Sequence, residues 1–278
     1  RMGDLFNPRA LRQRLTGIVE WKNLTLQQVY NAEPVTVDAI YDWLMKFGEP
    51  ILPYITDVGV YLNDALRQGK KMMFEAQLGA LRDIDFGIYP YTSSSSTIAA
   101  YAPIGAGIPG RKLDHTIGIM KAYSTCVGEG PFTVEMFGEE AEALRAAGGE
   151  YGAATGRPRR VGPFDVVASR YGVQVQGADC LALTKMDILS YLDRIPVCTA
   201  YDVNGTIVHD FPYGDDLNNA KPVITYLDGW KCDITKCRKP EDLPQAAVDY
   251  IRYIEQQVGC PIKYVSVGAE REDYVVMK

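Results

Sequence analysis

Histidine is scarce: His115 and His209 are the only two in 278 residues. His115 lies in an apolar stretch and His209 stands beside Asp210 near a hairpin-like turn, so structural roles are expected of both. Nothing marks a Ser or Cys nucleophile beside either. No run of about 18 apolar residues occurs, which excludes a membrane-spanning helix. Cations are in deficit: 29 Lys and Arg face 35 Asp and Glu, for a formal net charge of −6. A general nucleic-acid binder draws its affinity from excess Lys and Arg, so that class is set aside. The six cysteines (Cys126, Cys180, Cys198, Cys232, Cys237 and Cys260) follow no framework spacing. Reduced thiols in a cytoplasmic protein are the expectation. Cys232 and Cys237 are the one close pair, and neither a second pair nor a His completes a zinc site, so no metal is expected there. Also missing are an initiator Met, a signal or transit composition, and a Gly-x4-Gly-Lys-Ser/Thr phosphate cradle. Arg1 therefore reads as a trimmed start or as an internal position of something longer.

What is present is an ordinary globular composition, 47% apolar and 23% charged, long enough for one large domain or two small ones. Residues 1–70 have helical spacing. Asn7 can cap a helix begun by Pro8, with Leu11, Leu15, Ile18 and Val19 along one side. Val37, Ile40, Tyr41, Leu44 and Phe47 mark a second helix ended by Gly48 and Pro50, and 57–67 a third. From residue 71 onward short apolar runs alternate with helical patterns. Strands are expected at 72–74, 117–122, 180–183, 196–201 and 262–266, and helices at 139–147, 164–176 and 243–258. That order predicts an α/β fold with a largely parallel sheet, residues 71–278 forming the core and 1–70 a helical subdomain. Val203-Asn204-Gly205-Thr206 reads as a hairpin turn. The uncharged stretch 88–110, with its prolines, serines and glycines, reads as a loop packed in a cleft or interface.

Ligands in such sheets sit beyond the carboxyl ends of the strands. Thr184-Lys185-Met186-Asp187 follows one strand. A Lys-x-Asp there can read guanine, the carboxylate accepting from the ring N–H and the exocyclic amine while the Lys stem packs on the base; a solvated strand end is the plainer alternative. In 152–160 two glycines flank Thr155, and Arg157, Arg159 and Arg160 offer forked donors around Pro158. Carboxylate or phosphate binding suits that composition, and a basic surface patch is the alternative. Cys126-Val127-Gly128 and Ser266-Val267-Gly268 follow two further strands and would, taken singly, be plain turns.

The series Phe74-Glu75, Asp83-Ile84-Asp85-Phe86-Gly87, Tyr89-Pro90-Tyr91, Lys121-Ala122-Tyr123-Ser124-Thr125, Val127-Gly128, Gly130-Pro131-Phe132, Gly156-Arg157 and Thr184-Lys185-x-Asp187 resembles the adenylosuccinate synthetases across nearly the whole chain. The resemblance implies a core like that of the P-loop NTPases with an inserted helical subdomain. It implies GTP-dependent joining of L-aspartate to inosine monophosphate, with Mg2+ as cofactor, in a cytoplasmic homodimer that dimerises through the first helices. It places aspartate on Ala153, Ala154, Thr155, Gly156, Arg157, Pro158 and Arg159. Inosine monophosphate falls to Gln77, Ser93, Val127 and Arg157, and GTP to Arg159, Lys185, Met186, Asp187, Ser266, Val267 and Gly268. The family's phosphate loop, catalytic acid and base, and metal ligands belong to a portion ahead of Arg1, so no catalytic or metal residue is assigned here and the chain alone is expected to be inactive.

Three positions depart from the family pattern. The usual nucleotide-contacting Gln falls on Leu78, and Gln77 is expected to take its role through a changed turn. Ala154 stands for a Thr, and Cys126 for an Arg. These changes motivate a same-class rival, amination of another purine nucleotide such as a guanine deoxynucleotide. A non-catalytic GTP-binding module is a second rival.

Overall fold

Side-chain caps start each of the first three helices. In the computed structural model, which describes residues 1–153 and 155–277, Asn7 accepts from the Ala10 amide to open α1 (Pro8–Gln28). Thr36 does the same for α2 (Val37–Gly48) and Asp57 for α3 (Val58–Arg67). Leu5, Leu11 and Leu15 are buried against Val37, Ile40, Tyr41 and Leu44, so one stripe of each of the first two helices makes the small core of this unit. Ile18 and Phe47, expected on those stripes, are exposed. The unit comprises Arg1–Met72 with Ala106–Ile108.

The second unit comprises Met73–Gly105 and the residues from Pro109 onward. It opens without the expected strand at 72–74: that segment has no regular structure and Met73 is 90% exposed. Three apolar residues make a strand only where a neighbour supplies ladder hydrogen bonds, and among the described residues none pairs with them. The stretch 88–110 is mostly irregular, broken by a 3-10 turn at Ala99–Tyr101 and α4 (Ala102–Gly105). Along it Tyr89 and Ile104 are exposed, and Thr97, Pro103 and Ile108 are buried.

The central sheet contains β1 (Ile117–Lys121). The short β2 (Ser124–Cys126) pairs antiparallel with β3 (Arg160–Gly162), and α5 (Gly138–Gly148) lies between them in sequence. β4 (Phe164–Asp165) leads into α6 (Val166–Gln176), so the first two residues of the expected helix are strand. Next come β5 (Cys180–Thr184), β6 (Arg194–Val203), β7 (Thr206–Val208), α7 (Gly214–Asn219), β8 (Ala220–Asp228), α8 (Gln245–Val258), β9 (Ile262–Ser266) and β10 (Tyr274–Val276). The central sheet has the order β1-β5-β9-β10, parallel but for β10. Leu181, Leu183, Ile262 and Val265 share its core with Tyr250, Ile251, Ile254 and Val258 of α8. The strand expected at 196–201 is real but belongs elsewhere. As part of β6 it lies in a second, mainly antiparallel sheet with β7 and β8, joined parallel only to β4. A short apolar run reports a strand, not its partner. The β6–β7 turn is the expected Asn204-Gly205 pair, at φ 53° and 86°.

Asp165 links this second sheet to α6. Its Oδ1 accepts from the Ala168 amide at 3.0 Å as the helix cap, and the Tyr201 hydroxyl donates to Oδ2 at 2.5 Å. Burial pushes the carboxyl up to about 6, outweighing both bonds. A carboxyl raised above its unfolded value of 3.8 favours the native state when protonated, so this contribution is lost as pH rises from about 4 through about 6. The whole change is worth about 3 kcal/mol. Asp165→Asn keeps the cap acceptor and is expected to raise the urea midpoint at pH 7.5 and flatten its pH dependence. A wild-type midpoint that does not fall between pH 4 and 6 would count against this.

Candidate functional site

At the carboxyl end of the parallel sheet, Lys121 ends β1 and pairs in register with Thr184, the last residue of β5. Lys185 follows at φ 62°, a left-handed value unusual for a residue with a side chain. The Met186 amide donates to the Ser266 carbonyl at 3.2 Å, which sets 185–187 beside 266–268. The side chains of Met186 and Val267 are fully buried in the core. Ser266 Oγ donates to the Gly268 carbonyl at 3.0 Å, and a Cβ at Gly268 would lie 2.4 Å from Asp273 Oδ2. Asp187 is half-buried. Burial raises its carboxyl above the usual range and nearby Asp273 adds to that, against its own amide and Lys185.

The geometry centres on Glu150, which the sequence reading passed over. It follows α5 and its left-handed cap Gly149, and its side chain is fully buried. Lys121 Nζ donates to Oε1 at 2.9 Å, the Tyr123 hydroxyl to Oε1 at 2.5 Å and Arg159 to Oε2 at 2.8 Å, while Lys185 Nζ stands 3.3 Å from Oε1. Lys185 also donates to the Gly148 carbonyl, at 2.6 Å, at the negative end of the α5 dipole. Burial by itself would raise the Glu150 carboxyl. The Tyr123 hydroxyl and the Lys121 and Lys185 ammoniums outweigh it and hold the group at about 2, so it is anionic at all working pH values. Burial lowers Lys121 despite its pairing with Glu150. A signal for Glu150 lay in the sequence: one carboxylate between a helix end and an Arg-rich loop.

The loop 151–159 is closed on itself. Gly152 donates to the Arg157 carbonyl, Gly156 to Gly152, and Tyr151 bridges Pro158. Ala153, Thr155, Gly156, Arg157 and Pro158 are exposed, and Ala154 lies outside the described residues. Arg159 is partly buried, and its Nε has no hydrogen-bond partner among the described residues.

Of the candidates for inosine monophosphate, the structure ties together the segments of Ser93 and Val127. Arg82, also unremarked in the sequence, donates to the carbonyls of Tyr91 (2.5 Å), Glu129 (3.2 Å) and Val127 (3.0 Å). Its own carbonyl accepts from the Ser93 amide at 2.8 Å, so one residue ties the Ser93 and Val127 segments together. Arg82 also reaches Cys126 Sγ at 2.9 Å. Ser93 Oγ is turned onto the Ser95 carbonyl, Val127 is exposed, and Gln77 is exposed beside Leu78 at φ 78°. The carboxylate Asp83 serves the fold: it is buried and accepts from the amides of Asp85, Phe86 and Thr97 and from Ser96 Oγ. All six cysteines are free, and His115 contacts Cys180 Sγ and Asp179. Among the described residues no group of three or more His, Cys, Asp or Glu could hold a metal ion, and no helix is long and apolar enough to cross a membrane.

A parallel sheet whose strand ends gather three cations, a Lys-x-Asp turn and an Arg-bearing loop has the build of a nucleotide-binding α/β protein. The family model for adenylosuccinate synthetase matches residues 1–275. The chain belongs to the adenylosuccinate synthetase family. It is 42% identical over 279 residues to the adenylosuccinate synthetase of Synechococcus sp. (strain JA-2-3B'a(2-13)), covering 100% of this chain and 62% of that one. With the enzyme of Kineococcus radiotolerans the identity is 44% over 277 residues, covering 99% and 65%. The chain thus spans less than two thirds of the length of these curated relatives. Its fold is similar to that of the fully ligated adenylosuccinate synthetase of Plasmodium falciparum, with a TM-score of 0.92 at 32% identity, covering 100% of this chain and 66% of that one. The succinoaminodeoxyadenylate synthetase of cyanophage S-2L, solved with dGMP and dATP, shares the fold alone, with a TM-score of 0.51 at 17% identity over 83% of this chain and 55% of that one.

Proposed function

We propose that this chain carries the guanine- and aspartate-binding groups of an enzyme that joins L-aspartate to inosine monophosphate at the expense of GTP, giving adenylosuccinate, GDP and phosphate. The observation that carries the reading is the convergence of Arg159 and Lys185 on one buried carboxylate, next to Asp187 and the 266–268 turn. Asp187 accepts from the guanine ring N–H and amine, and the Lys185 stem packs on the base. Ser266, Val267 and Gly268 flank it, the Met186 and Val267 side chains backing this wall from the core. Arg159 meets the anionic part of GTP. Ala153, Ala154, Thr155, Gly156, Arg157 and Pro158 enclose aspartate, whose carboxylates suit the Arg forks and loop amides. Gln77, Ser93, Val127 and Arg157 contact inosine monophosphate, Gln77 in place of the family's Gln at the position of Leu78.

Phosphorylation of the 6-oxygen and displacement of that phosphate by the aspartate amine are mainly matters of positioning and charge stabilisation. The residues above bind, orient and neutralise. Mg2+ is the family's cofactor, and the described residues offer it no donor cluster, so no step is assigned to it. The exposed Trp21, Leu24, Trp43 and Phe47 of α1 and α2 support a homodimer formed through this surface. The working place of such an enzyme is the cytoplasm. Amination of a guanine deoxynucleotide is the weaker reading, because the phage enzyme shares the fold alone.

The test is a titration of the purified chain with GTP and ATP, monitored by displacement of a fluescent-labelled GDP, together with an assay for adenylosuccinate. GTP is expected to compete at least tenfold better than ATP, with no product formed, since every candidate group here is a binding group. Equal competition by the two nucleotides would overturn the guanine reading. Product formed by the chain alone would overturn its assignment as a binding portion.

A further inference from the structure

We propose that Glu150 is a positioning residue that locks the 151–159 loop to Lys185, so that the aspartate side and the guanine side of the site are set by one carboxylate. The inference rests on the guanine and aspartate reading above and adds a residue and a coupling to it. Four side chains from three parts of the fold meet on this one group: Lys121 and Tyr123 at the end of β1 and just beyond it, Lys185 after β5, and Arg159 at the far end of the loop. Glu150 also holds that loop by its backbone, since its carbonyl accepts from the Arg159 amide at 2.9 Å. The residue before the loop and the loop's last residue are therefore joined twice, once through main chain and once through side chains. Lys185 is held on the opposite flank by the Gly148 carbonyl and Glu150 together, although its backbone is in a left-handed conformation.

Charge separates this arrangement from a plain core ion pair. Lys121, Lys185 and Arg159 supply three positive charges against the carboxylates of Glu150 and neighbouring Asp187, an excess of one that suits anionic ligands. Arg159 Nε remains a buried donor without an acceptor among the described residues. A buried ion cluster is a poor source of stability compared with apolar packing of the same volume, so stability alone does not account for it. Conversely, a side chain bonded to both flanks transmits a shift of one flank to the other. GTP that orders Lys185 and Arg159 also orders the root of the loop, and aspartate then binds a loop already fixed.

The test uses wild type, Glu150→Gln and Tyr123→Phe, titrated calorimetrically with GTP, with L-aspartate, and with L-aspartate in saturating GTP. Wild type is expected to bind aspartate about fivefold or more tightly when GTP is present. Glu150→Gln is expected to weaken GTP and aspartate by about tenfold each and to abolish the enhancement. Tyr123→Phe leaves the carboxylate but removes one donor, and should reduce the enhancement part-way while folding normally; it decides the matter if Glu150→Gln does not fold. A merely structural role would lower the melting temperature or the active fraction and leave the dissociation constants and their ratio unchanged. Wild-type binding of both ligands with unaltered constants and enhancement in folded variants would overturn the proposal and leave the site reading standing. A wild type that binds neither ligand would overturn the site reading and this proposal with it.

Discussion

Asp187→Ala is expected to weaken GTP binding about 100- to 1000-fold while changing ATP binding by less than about threefold. A carboxylate that takes both the ring N–H and the amine of guanine makes two charge-assisted hydrogen bonds, together worth about 3 to 4 kcal/mol, and every 1.4 kcal/mol is about tenfold. Adenine presents no such pair of donors, so its affinity owes little to this group. The environment sharpens the effect. Burial and Asp273 both disfavour the ionised form of Asp187, and its own amide, the Ile188 amide and Lys185 offset this only in part, so two further donors from a bound base would stabilise the anion. Removing it should leave the melting temperature unchanged or higher. ITP, which lacks the amine, provides the control: it should bind wild type more weakly than GTP and bind the variant equally well. Competition titrations of the three nucleotides check this, and a variant that still prefers GTP would remove Asp187 from the base pocket.

Gly162→Ala is expected to cost about 4 kcal/mol or more and to leave little folded protein at physiological temperature. A Cβ at Gly162 would stand 2.1 Å from the Val134 carbonyl oxygen and 2.8 Å from its carbon. Both are backbone atoms, so no rotamer change relieves the overlap. Gly162 belongs to β3, whose neighbours on either side are Val161, fully buried, and Pro163 leading into β4. The Met136 amide donates to the Val161 carbonyl at 2.9 Å, which pins the 132–136 segment against the strand and prevents retreat. Gly152→Ala is a milder comparison, since its closest contact would be the Thr155 hydroxyl at 2.8 Å, a side chain able to rotate. Urea unfolding followed by circular dichroism distinguishes the two; a Gly162→Ala midpoint within experimental error of wild type would show that the strand can shift.

Much of this architecture was legible because local chemistry and global fold agree. Asn7-Pro8, Thr36 and Asp57 announce helix starts through their own side-chain acceptors, and the apolar run at 180 becomes a strand with no exposed residue, whereas the run at 117 leaves Ile117 and Ile119 exposed. The Lys-x-Asp turn and the arginine-rich stretch 157–160 stand out by residue type and spacing, although of the three arginines Arg160 lies in β3 and pairs with Glu135. What was not legible depends on partners far away in sequence. The run 72–74 has strand-like residues without a pairing edge. The run 196–201 is apolar enough to be a strand, yet its sheet is decided by β8, some 25 residues on. Glu150 and Arg82 are ordinary residues in ordinary contexts until folding surrounds one with Lys121, Tyr123, Arg159 and Lys185, and sets the other against carbonyls at 91 and 127–129.

The order of strands in the central sheet governs when the site comes into being. β1, β5 and β9 are neighbours in space but begin at residues 117, 180 and 262, so each pairing closes a loop of many tens of residues before any ladder forms. Non-local parallel pairing of this kind is slow. During synthesis the 185–187 turn lacks its 266–268 neighbour until β9 has emerged, and β5 waits with one side unpaired. The apolar strand Cys180–Thr184 is then the stretch most open to wrong association, and a ligand that joins 185–187 to 266–268 acts late, by retaining β9 once it has docked.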